Sequence, residues 1–243
     1  MELLLASSSK LKFKNGTSEI AANIIISFTF ISMIITIYAL GLNYTLFLYK
    51  EEKIDSMENF SLFLANGLNS MYFLNESRIF NTNTNPVIFR AGNHSTLLIN
   101  DVILGSWKNF EISIYTGLQK SSGNETIILY GDNSIFSLNK TSFYIALSGE
   151  RIIVKFNVKI ASIGNCLFIR AYTLKNKDPV VLNGRFMVRI SSIHRFFHKY
   201  FVSNKILRIS LIYDNFSENL AMKLSSPLIL ILLEIIEFEV DEL

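Results

Sequence analysis

The residues able to do chemistry are few. The chain holds three histidines and one cysteine, Cys166. His194 and His198 stand four apart in His-Arg-Phe-Phe-His, a spacing that puts two ligands on one face of a helix. The Glu that follows the first His in H-E-x-x-H is missing and no third ligand stands nearby, so no metal site is assigned. Cys166 lies in the strand-like run Gly-Asn-Cys-Leu-Phe-Ile-Arg and reads as a small buried hydrophobe rather than a nucleophile. Asp101 and Asp132 sit in turn-like settings and read as structural. No Gly-rich phosphate loop occurs. General bases near neutral pH are scarce. No catalytic residue and no cofactor is assigned, and the chain is not read as an enzyme.

What must position any site is therefore the larger question. Half of the 243 residues are hydrophobic and only 18% are charged, against about 25% in an average protein. Mean hydropathy is +0.34. This balance excludes a disordered chain. A single cysteine excludes an intrachain disulfide. Net charge is +3, with no Lys/Arg block, so nucleic-acid binding has no support.

The apolar excess is concentrated. Ile20 to Tyr49 carries no charge over about thirty residues, beyond the roughly 20 that span a bilayer. Lys10, Lys12 and Lys14 precede the run, with Glu2 and Glu19 the only acids. Lys50, Glu51, Glu52 and Lys53 follow and cancel. The positive-inside rule then puts the N-terminus in the cytoplasm and the chain beyond about residue 50 outside. A cleaved secretory signal is the rival, but the run is long for one and ends without a small-residue cleavage site. Ala22, Thr29, Ser32, Thr36, Ala39 and Asn43 fall at spacings of three, four or seven. They form a small and polar stripe suited to helix packing; Ser and Thr bonding to their own helix backbone is the alternative. Beyond the run, Ile54, Met57, Ser61, Leu64, Leu68 and Met71 repeat at three-four spacing. The pattern predicts one long helix, apolar first and amphipathic after.

Lys14-Asn15-Gly16-Thr17-Ser18-Glu19 stands just before the apolar run. A basic leader ending in Gly, a few polar residues and a long apolar helix together resemble the class III signal of type IV prepilins, most closely the archaeal pilins and pilin-like secretory proteins. The resemblance covers roughly residues 10 to 50. It implies cleavage after Gly16 by a prepilin peptidase, leaving Thr17 as the new N-terminus, and association with other pilin-like subunits through the membrane helix. Two positions depart from the pattern: Asn15 replaces a second basic residue, and Glu19 is at the third mature position rather than the fifth. The organisation expected is a cytoplasmic leader (1–16), a membrane-spanning helix extending outside (17–75) and a β-rich extracellular domain (76–243).

From about Phe80 short apolar runs alternate with Asn, Asp, Gly and Ser. They predict an all-β, antiparallel sandwich-like domain, with strands including Thr96–Leu104, Arg151–Val158, Cys166–Thr173 and Leu228–Val240. Asn183-Gly184 is among the expected turns. Ile193, Phe196, Phe197, Tyr200 and Phe201 match helical spacing, so Ser191 to Asn204 predicts one short amphipathic helix, with Arg195, His198 and Lys199 on its polar side. The C-terminal run is expected as a long strand, central in the sheet at its start and exposed at its end, with a tail able to serve as an edge for strand addition. Asn59, Asn75, Asn93, Asn124, Asn139 and Asn215 begin N-x-S/T sequons and are candidate glycosylation sites on an exported face; the sequon at Asn43 falls close to the membrane. Together these features suggest an exported single-pass pilin-like protein, a structural or assembly component at a cell surface. The alternatives are a signal-anchored ligand-binding ectodomain and a non-catalytic accessory subunit of a membrane complex.

Overall fold

The computed structural model describes residues 2–74, 76–118, 126–131, 136–138, 143–213 and 216–243. A long helix, α1 (Glu2–Leu74), precedes twelve strands among the described residues. These are β1 (Arg78–Ile99), β2 (Val102–Tyr115), β3 (Thr126–Tyr130), β4 (Phe136–Leu138), β5 (Phe143–Ser148) and β6 (Arg151–Phe156). They continue with β7 (Val158–Ile163), β8 (Cys166–Leu174), β9 (Val180–Phe201), β10 (Ile206–Tyr213), β11 (Phe216–Lys223) and β12 (Leu228–Glu242). The chain divides into two compact units, residues 1–52 and 53–243.

In the first unit, residues 20–52 of α1 are exposed along their whole length. This part is long and apolar enough to cross a membrane, with a mean hydropathy of 2.3 in its most apolar window. Ala22, Thr29, Ser32, Thr36, Ala39 and Asn43 are all exposed. The Thr29 hydroxyl donates to the Ile25 carbonyl at 2.6 Å and the Thr36 hydroxyl to Ser32 at 2.8 Å. Threonines in an apolar helix satisfy themselves in this way. Gly16 and Thr17 lie within the α1 backbone.

The second unit begins with the amphipathic part of α1. Met57, Ser61, Leu64, Leu68 and Met71 are all buried, as the three-four seam requires, and Ile54 packs against the same cluster. Ser61, the polar member, donates to the Met57 carbonyl at 2.7 Å. Gly67 has a packing reason: a Cβ there would come within 2.9 Å of the Phe80 ring.

The strands form one sheet in the order β3-β5-β6-β2-β1-β9-β12-β8-β7-β4, forking at β1, which also pairs with β10 and through it with β11. Two apolar clusters lie on opposite faces. The first joins the 53–74 part of α1 to Phe80, Phe89, Phe110, Ile112, Phe186, Ile236 and Phe238. The second lies between strands: Leu97, Trp107, Leu167, Ile169, Leu207, Ile209, Ile231 and Leu233. Here β2 crosses over β12 so closely that a Cβ on Gly105 would meet the Leu233 side chain at 2.7 Å. Register shifts between Ala91 and His94 let β1 turn Val87 and Phe89 into the first cluster and Leu97 and Ile99 into the second.

Several expectations are corrected. Ser191 to Asn204 is not a helix; through Phe201 it is the second half of β9, paired with β12 from Phe186↔Glu242 to Phe201↔Leu228. Its β-branched and aromatic residues suit a strand, and a helix there would strip β12 of backbone partners. The sheet is not wholly antiparallel, because β12 pairs β8 and β4 pairs β7 in parallel. β12 is central between β9 and β8 as far as Phe238, and its tail, Glu239 to Glu242, pairs β9 alone. Thr96–Leu104 is broken by a hairpin turn at Asn100 and Asp101, both with positive φ (46° and 66°). Such a turn requires left-handed residues, which Asn and Asp adopt. Asn183-Gly184 is no turn. Gly184 sits inside β9 at φ 88°, beside a register irregularity, and Thr82 braces it by accepting from its N–H at 2.8 Å.

Candidate ligand-binding face

Strand pairing dictates the most distinctive surface of the second unit. Alternate residues of β12 share a face. Ile229, Ile231, Leu233 and Ile235 point into the second cluster. The opposite face carries Leu228, Leu230, Leu232, Glu234, Ile236, Phe238 and Val240. The last three are buried with α1 in the first cluster. Leu228 and Leu230 are exposed.

Cross-strand partners extend this face in rows. Glu234 lies beside Arg195 of β9 and Arg170 of β8, and Arg170 beside Lys159 of β7. The next row is Phe197, Leu232, Phe168 and Ala161, followed by Lys199, Leu230, Cys166 and Ile163, then Phe201 and Leu228. Phe197 and Phe201 are 74% and 73% exposed, values unusual for aromatic side chains on a sheet. Between Phe168 and Phe197 runs an open groove of about 250 Å³, floored by Leu230–Leu232, with Cys166 and Lys199 in its lining.

The charged row is well built. Glu234 is buried, its side chain only 8% exposed. The Tyr72 hydroxyl lies 2.7 Å from Oε2 and 2.9 Å from Oε1. Arg195 Nε donates to Oε1 at 3.0 Å, and Arg170 Nη2 to Oε2 at 3.2 Å. Burial by itself would push the Glu234 carboxyl up, but the hydrogen bonds from Tyr72, Arg195 and Arg170 outweigh it and hold the carboxyl below its ordinary value. The Arg170 guanidinium stacks 3.5 Å over the Tyr72 ring, a cation–π contact. Its Nε is buried and has no hydrogen-bond partner among the described residues. The cluster ties α1 to the sheet, as does Tyr172, whose hydroxyl donates to Asn69 Oδ1 at 3.0 Å.

A second carboxylate, Glu239, accepts from Lys175 and Arg189, each at 3.0 Å. Those two bonds hold its carboxyl below the ordinary range.

His194 and His198 lie on one strand rather than on a helix, separated by roughly 13 Å of extended backbone, too far to share an ion. Among the described residues no group of three His, Cys, Asp or Glu could hold a metal. Cys166 is half-buried, in the groove lining. Asn59 is exposed on α1 and Asn93 exposed in β1. Asn75, Asn124, Asn139 and Asn215 lie outside the described residues. Sequence reasoning named Arg195 and Lys199 but put them on the polar side of a helix. It missed Arg170 and Glu234, because only the long-range pairing of β8 with β12 brings them together. No protein family, no characterised protein and no solved structure matches the chain.

Proposed function

We propose that the chain is an exported, single-pass, pilin-like protein, with its N-terminus cytoplasmic and residues beyond about 50 outside the cell. It serves as a structural or assembly component, anchored by residues 20–49 and associating with other copies through the stripe Ala22, Thr29, Ser32, Thr36, Ala39 and Asn43. A sandwich-like β domain is presented to partners. The observation that carries this reading is the uncharged helix itself. Its large apolar side chains, among them Phe28, Phe30, Ile34 and Ile35, are 44–73% exposed. In water that exposure is untenable over such a length, and lipid or a helical partner removes it. The basic leader and Gly16-Thr17 supply the orientation and the pilin-like processing signal.

Mass spectrometry of the protein purified from its native membrane tests the reading. The expected mature N-terminus is Thr17. Retention of Met1 removes the prepilin part and leaves a signal-anchored protein. Glycans at Asn59 or Asn93, read in the same spectra, support export.

The uncovered face on β7, β8, β9 and β12 favours a second reading, a membrane-anchored ligand-binding domain. Binding of a small ligand by protein that stays monomeric in mild detergent selects it over the assembly role.

A further inference from the structure

We propose that the groove between Phe168 and Phe197 binds one chain of a single-tailed anionic amphiphile of the fatty-acid class, with its carboxylate on Lys199 and its tail along Leu230 and Leu232. The shape is the first argument. β8 and β9 flank β12, so their side chains stand two strand spacings apart, about 10 Å. The Phe168 and Phe197 rings narrow that width to a single hydrocarbon chain. The groove of about 250 Å³ equals the space of roughly eight waters, or about as many methylene groups.

The chemistry of the walls is the second argument. The lining is mostly Leu, Ile and Phe, with Cys166 on the β8 side and His198 and Lys199 on the β9 side. Ile163, Phe168, Phe197, Phe201, Leu228 and Leu230 are all exposed on the same sheet face. Contiguous apolar surface of this kind marks a binding site on a folded domain.

Charge complementarity selects the ligand. On the four strands the face carries Lys159, Arg170, Arg195 and Lys199 against one carboxylate, Glu234. Glu234 is occupied by both arginines. Lys199 is exposed and forms no ion pair among the described residues. An anionic head is attracted, whereas the same basic face of a second copy is repelled. A bilayer surface does not enter a slot one chain wide.

The natural thiol makes the test direct, since Cys166 is the single cysteine and lines the groove. The full chain is placed in nanodiscs of zwitterionic lipid, and Cys166 alkylation by a maleimide is followed by mass spectrometry. Decanoate, decanol and decyltrimethylammonium are compared at equal concentration, well above the carboxylate pKa. Decanoate is expected to slow alkylation at least fivefold and the other two less than twofold. In Lys199→Glu, an exposed substitution, the ratio of rates with and without decanoate is expected to return to near one. Equal slowing by all three amphiphiles, which is apolar partition, overturns the proposal. So does no slowing by decanoate. So does a Cys166 already shielded without ligand in protein that runs as a dimer, which assigns the face to a second copy.

Discussion

One face of β12 is apolar on both sides of Glu234, yet its two halves meet different fates. Ile236, Phe238 and Val240 are buried under α1, while Leu228 and Leu230 remain open. The residue types hardly differ. What differs is the layer above. Met57, Leu64, Leu68 and Met71 cover the first half, and α1 ends at Leu74, just past Tyr72 on Glu234. Glu234 marks the border, where the covering helix is pinned by a buried carboxylate and two arginines. The comparison teaches that apolar strand residues fix where surface can be buried, whereas the covering element decides where it is.

The largest effect comes from removing that cover. A chain beginning at Lys53 keeps the whole first cluster and is expected to fold cooperatively. One beginning after Leu74 loses Met57, Leu64, Ala65, Leu68 and Met71 from the core and is expected to lose native structure or aggregate. The fluorescence of Trp107, the one tryptophan and a buried one, reports both. If the shorter chain unfolds at the same denaturant concentration as the longer, the covered half does not depend on its helix. Within the full chain, Leu68→Ala leaves a cavity in the same layer. It is expected to cost about 3 kcal/mol, read from the denaturation midpoint in detergent.

The border comes next. Glu234→Gln leaves Arg170 and Arg195 without their anion. Removing one partner of a fully buried pair costs about 3–5 kcal/mol, but Arg195 is half exposed and water screens it. The expected loss is therefore about 2 kcal/mol. The pH dependence has a definite sign. The folded carboxyl lies below its ordinary value, about 4.3 for an unfolded Glu. Its contribution is therefore complete above that value and is lost as pH falls through the lowered folded one. Stability of the parent chain is expected to fall more steeply than that of the Gln variant between about pH 5 and pH 3. Parallel pH curves for the two proteins would show that the pair contributes nothing.

The two halves were unequally legible in the sequence. The covering seam could be read because Ile54, Met57, Ser61, Leu64, Leu68 and Met71 keep one period, and one period suffices to predict a buried helix face. The bare half could not. Ile193, Phe196, Phe197, Tyr200 and Phe201 satisfy helical spacing by coincidence. On β9 they fall on both faces, because Phe197 lines the open groove and Phe201 lies on the same face, while Phe196 and Tyr200 pair with Leu233 and Ile229 on the other side. An exposed aromatic breaks the alternation by which a strand is recognised. The hairpin at Asn100-Asp101 was missed for a local reason, since it uses no glycine. Arg170 and Glu234 are 64 residues apart, joined by a parallel pairing that no local pattern encodes.

The smallest effect is the sharpest probe of the comparison. Phe197 and Leu68 are both large apolar residues near one sheet face, but Phe197 is 74% exposed and Leu68 fully buried. Folding gains little from a ring that stays in water, since stabilisation follows the apolar area removed from solvent. Phe197→Ser is therefore expected to shift stability by no more than about 0.5 kcal/mol, while Leu68→Ala costs several times that. The same substitution removes one wall of the groove, so protection of Cys166 by decanoate is expected to weaken. A residue that matters to ligand capture and not to folding is one kept for what the face binds. If Phe197→Ser destabilises the chain as strongly as Leu68→Ala, the bare half is core by another route, covered by a partner or a lipid even in the purified protein.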